Sequence, residues 1–292
     1  MLPLSKPIPN GKMATSLVGA HTPWSSSSYP SIYVSKHINH RLKFKRLATT
    51  TTTTRAIPDN VSSGSVSTKD PEVDITLTRK KRANEVCPEL KGTSIFLLGM
   101  NNSLKTTLGK LLADSLRYYY FDSDSLVEEA VGGRLAAKSF RQRDEKGYHD
   151  TETEVLKQLS SMGRLVVSAG DSAVQSATNL ALLRHGVSIW LDVPLDIVAR
   201  EVVNGEIQLS LSGLSISGSQ DEVLSELSSL YEARRSGYAT ADTTISLQKV
   251  ASELGYDELD AVSTEDLTFE VLKEIEKLVR VKKMMEEAAR PF

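Results

Sequence analysis

The sequence predicts an α/β fold, with a parallel sheet covered by helices on both faces. Three observations carry that expectation. From Gly92 onward, short apolar runs alternate with stretches of helical periodicity, as crossover connections between parallel strands require. The run Ser94-Ile-Phe-Leu-Leu98 passes through Gly99-Met-Asn-Asn-Ser-Leu-Lys-Thr-Thr107 into Leu108–Leu116, which is the strand–loop–helix order of a phosphate-binding loop. The 292-residue chain is 40% hydrophobic and 25% charged, so it has the length and composition for a full core.

After the first helix, Tyr118–Phe121 reads as a short strand, and Ser125–Val131 as a helix ending at Gly132-Gly133. A longer helix is expected from Lys138 to Met162, with Val155, Leu156 and Leu159 apolar. Arg164–Ser168 is the next strand, followed by a helix through Leu183. Gly186–Leu191 is another strand, and Pro194 marks a helix start because its fixed φ suits that position. A Ser/Gly-rich segment from Asn204 to Gln220 interrupts the regularity. A helix at Asp221–Arg235, a strand at Thr243–Leu247 and a long helix at Glu265–Ala289 complete the pattern. Ser263-Thr-Glu-Asp266 has the form of a capping box for that last helix. Its apolar residues Leu267, Val271, Leu272, Ile275, Leu278 and Val279 share a face, which packs on its own domain or serves as a scaffold surface.

Charge divides the chain. Up to Pro58 there is no acidic residue, while eight Lys and Arg stand among Ser25–Ser28, Thr49–Thr54 and other hydroxyl residues. A basic, hydroxyl-rich, acid-free stretch reads as an organelle transit peptide, and the excess of hydroxyls over arginines points to the chloroplast stroma. All 37 acidic residues follow, which makes nucleic acid a poor partner for the remainder. Residues 59–90, with a Ser/Gly run and the basic Arg79-Lys-Lys-Arg82, read as a flexible linker, and 91–292 as the folded domain. No apolar run reaches the roughly 18 residues of a membrane span. Cys87 is the single cysteine, which excludes an intrachain disulfide.

In the loop, Gly99, Lys105, Thr106 and Thr107 stand at phosphate-binding positions, but Leu104 replaces the glycine before the lysine. A β-carbon there crowds the cradle and disfavours any left-handed backbone by about 1–2 kcal/mol. With Phe121-Asp-Ser-Asp124, Gly170 after Val166-Val-Ser168, Trp190-Leu-Asp-Val-Pro194 and Leu230-x-x-x-Arg234-x-x-x-Tyr238, the chain resembles the shikimate kinases from Gly92 to Leu247. The resemblance implies a P-loop kinase fold of the nucleoside monophosphate kinase type. It also implies Mg·ATP as cofactor, with Lys105 at the β/γ-phosphates and Thr106 with Asp122 at Mg²⁺. Asp124 and Gly170 would face the substrate hydroxyls, and Arg234 the substrate carboxylate.

The departures from that pattern weigh more. The family's later loop glycines are Asn102 and Leu104, its Phe-Arg is Tyr148-His149, and its Gly-Gly-Gly is Gly170-Asp171-Ser172. Its arginine-bearing lid has no counterpart, since Glu201 to Ala233 contain no Lys, Arg or His. Phosphoryl transfer depends on positioning and on cations around developing negative charge. The pattern is similar to the plant shikimate kinase-like group, which implies an inactive chloroplast protein with no catalytic residue, a role in chloroplast biogenesis and an unidentified plastid partner. The alternative is a divergent Mg·ATP-dependent kinase of shikimate or a related hydroxyl compound.

Overall fold

The computed structural model describes residues 71–205 and 220–289. The expected leader, residues 59–70 and most of the lid region, 206–219, lie outside the described residues. In chain order the elements are α1 (Pro71–Leu90), β1 (Ile95–Leu98), α2 (Ser103–Leu116), β2 (Tyr119–Asp122), α3 (Ser123–Ala130), α4 (Arg134–Arg143), α5 (Glu145–Ser160) and β3 (Leu165–Ser168). They continue with α6 (Ala177–Leu183), β4 (Val187–Asp192), α7 (Leu195–Val203), α8 (Gln220–Tyr238), β5 (Thr243–Ser246), α9 (Leu247–Leu254), a single 3₁₀ turn (Leu259–Ala261) and α10 (Thr264–Ala288).

The five strands form one sheet in the order β2-β3-β1-β4-β5, and every pairing is parallel. All residues of β1 and β3 are buried, which is why both read as unbroken apolar runs rather than alternating ones. Each of their Leu, Ile, Val and Phe side chains contributes about 1.5–3 kcal/mol by leaving water. Because β1 lies between β3 and β4, the loops after β1, β3 and β4 gather at one edge of the sheet, where open α/β folds place their sites.

The structure corrects three expectations. Residues 71–90 are a helix rather than linker, with Ala83, Val86 and Leu90 in the core. Arg79, expected in a solvated run, is 4% exposed and lies near Asp114 (3.9 Å) and Glu265 (3.7 Å). Second, the expected helix Lys138–Met162 is two helices, because Asp144 leaves the helical conformation and caps α5, accepting from the Gly147 N–H at 2.8 Å. Third, Leu247 does not end a strand but opens α9. The capping box at Ser263 and Asp266 forms as expected, and Leu267, Val271, Leu272 and Ile275 bury the apolar face of α10.

Candidate functional site

Gly99 leaves β1 with φ of +125°, and a β-carbon there would overlap the Leu191 carbonyl. Only glycine fits. Three residues on, Asn102 is extended (φ −154°), not left-handed, and its side-chain oxygen accepts from the Lys105 N–H at 2.6 Å. It is therefore an N-cap. The helix begins at Ser103, two residues before Lys105, so Leu104 lies inside its first turn and meets no left-handed demand. The expected strain at Leu104 is absent.

Lys105 is 1% exposed, and its Nζ donates to Gly99 O (2.9 Å), Asn101 Oδ1 (2.6 Å) and Ala169 O (2.9 Å). An ammonium has three protons, and all three are committed. Burial pulls its pKa below the usual lysine value. Thr106 Oγ1 lies 3.5 Å from Asn102 O, and Thr107 Oγ1 donates to Ser103 O at 2.9 Å. Both hydroxyls thus turn back onto their own helix.

The N-terminus of α2 carries partial positive charge and free N–H groups, which suits an anion. Here the anion is internal. Glu201, near the end of α7, accepts from Ser103 N at 2.9 Å and from Ser103 Oγ at 2.5 Å.

Asp122 Oδ1 accepts from Ser125 N at 2.9 Å and so caps α3. Asp124 accepts from Asn101 Nδ2 at 2.7 Å, so Asn101 ties Asp124 to Lys105. Gly170 packs directly on the Asp124 carboxyl, where a β-carbon would overlap it, and its N–H donates to Ser123 Oγ at 2.8 Å. Burial pushes the Asp124 carboxyl up to about 7, helped by Asp171, Asp122 and Glu152 and opposed by Lys105.

Arg234 meets Asp171. The Nη1–Oδ2 distance is 2.6 Å, and both side chains are 3% exposed. Tyr238, one turn along α8, donates to the Asp171 carbonyl at 3.1 Å and stacks on Trp190. Beside this pair, Glu152 is 1% exposed, accepts from Ser172 Oγ at 2.7 Å and faces His149 Nδ1 at 3.1 Å. That contact raises the His149 pKa above 6.5.

The structure therefore brings Gly99, Lys105, Thr106, Asp122, Asp124, Gly170 and Arg234 to one edge of the sheet, and supplies a protein partner for most of their polar groups. Sequence reasoning missed Asn101, Ser123 and Glu201. Only the capping role of Asn102 had a local signal, an Asn three residues before the N–H it caps. Among the described residues no cluster of three His, Cys, Asp or Glu is arranged to hold a metal. At the phosphate end the three protons of the Lys105 ammonium and the first turn of α2 are held by groups of the chain itself.

The sequence profile described as shikimate kinase matches residues 101–275. The chain belongs to the shikimate kinase family. One relative, "Probable inactive shikimate kinase like 1, chloroplastic" of Arabidopsis thaliana, is 55% identical over 239 residues, covering 82% of this chain and 81% of that protein. "Shikimate kinase 2, chloroplastic" of Oryza sativa subsp. japonica is 40% identical over 208 residues, or 71% of this chain and 68% of that one. The chloroplast location expected from the leader agrees with these names. The solved structure of shikimate kinase from Acinetobacter baumannii in complex with shikimate covers 66% of this chain and 97% of its own, with a TM-score of 0.54 at 24% identity. It shows the shared P-loop kinase fold. Among the described residues no helix is long and apolar enough to cross a membrane.

Proposed function

We propose that this shikimate kinase homologue works in the chloroplast stroma without phosphorylating shikimate, and that its role there is in chloroplast biogenesis through a plastid partner. The observation that carries the noncatalytic half is the Asp171–Arg234 pair. Family resemblance assigns Arg234 to the substrate carboxylate, and a side chain of this chain already holds that guanidinium. Breaking such a buried pair leaves a charge uncompensated, at about 3–5 kcal/mol, so an incoming carboxylate has to displace a bound one. The biogenesis half rests on resemblance to the plant shikimate kinase-like group.

The decisive experiment is a coupled assay of ATP consumption by the purified chain, with and without shikimate. The expected result is no shikimate-dependent turnover above the enzyme-free blank. Turnover that needs both substrates and vanishes in Lys105→Ala would refute the reading. Retention of Lys105, Thr106, Asp122 and Asp124 at one edge favours a second reading, a kinase of another hydroxyl compound. Calorimetry with Mg·ATP alone separates the two, because only the second requires nucleotide binding. For the role in the organelle, loss of the chain should give pale plastids that added aromatic amino acids do not correct.

A further inference from the structure

The sheet has a second edge, at the opposite ends of the strands from the phosphate-binding loop. There the chain enters β1, β2 and β3, and each entry carries a basic residue in left-handed backbone: Lys91 (φ +51°), Arg117 (φ +58°) and Arg164 (φ +59°). Among the described residues these are the non-glycine positions with positive φ. Glycine is the usual choice for such a conformation, so a long cation at all three is a departure. The strand order β2-β3-β1 brings them together. Arg164 N donates to Gly92 O at 2.8 Å, and Tyr119 N donates to Arg164 O at 3.0 Å, so Arg164 sits between the other two. At a strand spacing of about 4.8 Å the three backbones span roughly 10 Å. All three residues are exposed and, among the described residues, enter no ion pair. Asp114, three residues before Arg117, lies instead by Arg79 and Lys80. Glu89 is the other acid adjoining the cluster in sequence, one charge against three.

The cluster surrounds an orphan. Tyr118 is 8% exposed, and its hydroxyl is buried with no hydrogen-bond partner, which is costly and uncommon. Burial pushes its pKa up to about 12, the Cys87 thiol adds to the rise, and the Arg164 guanidinium and the Gly92 backbone oppose it. The Arg164 side chain runs alongside Gly92, and Cys87 turns its own thiol toward Leu116 O at 3.7 Å. The hydroxyl thus lies beside cationic and amide donors, and its proton has no acceptor. The group that accepts from all of them is an anion. A cation near a helix C-terminus complements the dipole, which accounts for Lys91 and Arg117 at the ends of α1 and α2. It accounts neither for Arg164, four residues beyond α5, nor for the hydroxyl.

We propose that Lys91, Arg117, Arg164 and Tyr118 form an oxyanion site on this edge of the sheet, which takes a phosphate group, free or as a monoester. The length of β1, roughly 13 Å, separates it from the phosphate-binding loop. The guanidinium fork of Arg164 matches two oxygens of a tetrahedral anion. The Tyr118 hydroxyl donates a third bond, and Lys91 and Arg117 add charge from either side. Arg164 is exposed and unpaired, so it is free to turn with the anion toward the hydroxyl.

Titration calorimetry of the full chain with sodium phosphate, against sodium chloride of equal ionic strength, tests this. Phosphate should bind saturably with a dissociation constant on the order of 1 mM, and chloride should not. Tyr118→Phe removes only the orphan hydroxyl, so thermal unfolding should be unchanged while the constant rises about fivefold. Arg164→Asn, which tolerates the same backbone, should raise it about tenfold or more. Glycerol 3-phosphate identifies the source: binding at least as tight as that of inorganic phosphate assigns a monoester, and weaker binding assigns the free ion. Phosphate that fails to bind, or binds no differently from chloride, overturns the proposal. So does binding that both variants leave unchanged, which puts the anion elsewhere. Hexaglutamate that binds more tightly than either phosphate also overturns it, because the patch is then a docking surface for acidic protein.

Discussion

The two ends of the site are closed in different ways. At the phosphate end, Glu201 holds the first turn of α2 by hydrogen bonds to exposed Ser103, at the surface. At the carboxylate end, Asp171 and Arg234 face each other almost wholly out of water. A surface carboxylate is screened and exchanges readily, so its net contribution is under about 1 kcal/mol. A buried partner cannot leave without stranding a charge. The partner of Arg234 is thus built into the core, while the carboxylate at the phosphate end sits at the surface.

The largest test of that contrast is Asp171→Ala. It should cost about 3–5 kcal/mol of folding stability, read by denaturant unfolding, whereas Asp171→Ala combined with Arg234→Met should recover most of the loss. If Asp171→Ala is as stable as the native chain, the pair is not what closes the site. Next comes Lys105→Met, which removes three hydrogen bonds to a buried ammonium and should destabilise by roughly 3 kcal/mol. A P-loop lysine that merely waits for phosphate would show no such cost.

A smaller effect concerns pH. An unfolded Asp124 loses its proton near 3.8, but the folded one keeps it to about 7. Between these values the folded state binds more protons, so stability falls as pH rises from about 4 to 7, by at most about 1.4 kcal/mol per pH unit. His149 acts in the same direction. Its raised pKa adds stability that is complete below 6.5 and lost as pH rises through the folded value. Asp124→Asn should flatten the slope, and an unchanged slope would place its origin elsewhere. The smallest effect belongs to Glu201→Gln, which should strengthen inorganic phosphate or ATP binding roughly fivefold, or about 1 kcal/mol. No gain there would mean that the saturated Lys105, not Glu201, keeps anions out.

These partnerships explain what the sequence disclosed and what it hid. Strands β1 and β3 were legible because burial on both faces leaves mostly apolar residues. Positions such as Gly99, Lys105 and Arg234 were legible because motif spacing is local. Their partners were not, since Arg234 and Asp171 lie 63 residues apart and Ser103 and Glu201 lie 98 apart. No local rule connects such distances. Asp171 was visible as an anomaly, but only the fold shows that its carboxylate meets the arginine. Helix α1 was missed for a related reason. Its few core residues, Ala83, Val86 and Leu90, stand among charges, and Arg79 finds Asp114 and Glu265 only after folding.

Helix α1 also bounds how the precursor is trimmed. Import into a chloroplast ends with proteolytic removal of the presequence, and the protease has freedom only where nothing packed is lost. A cut within 79–90 would strip Arg79, Ala83, Val86 and Leu90 from their places against α2 and α10, exposing the underside of both helices. Processing that keeps these contacts therefore stops short of Arg79. A mature N-terminus sequenced beyond Leu90 would mean that the domain survives without its outer helix.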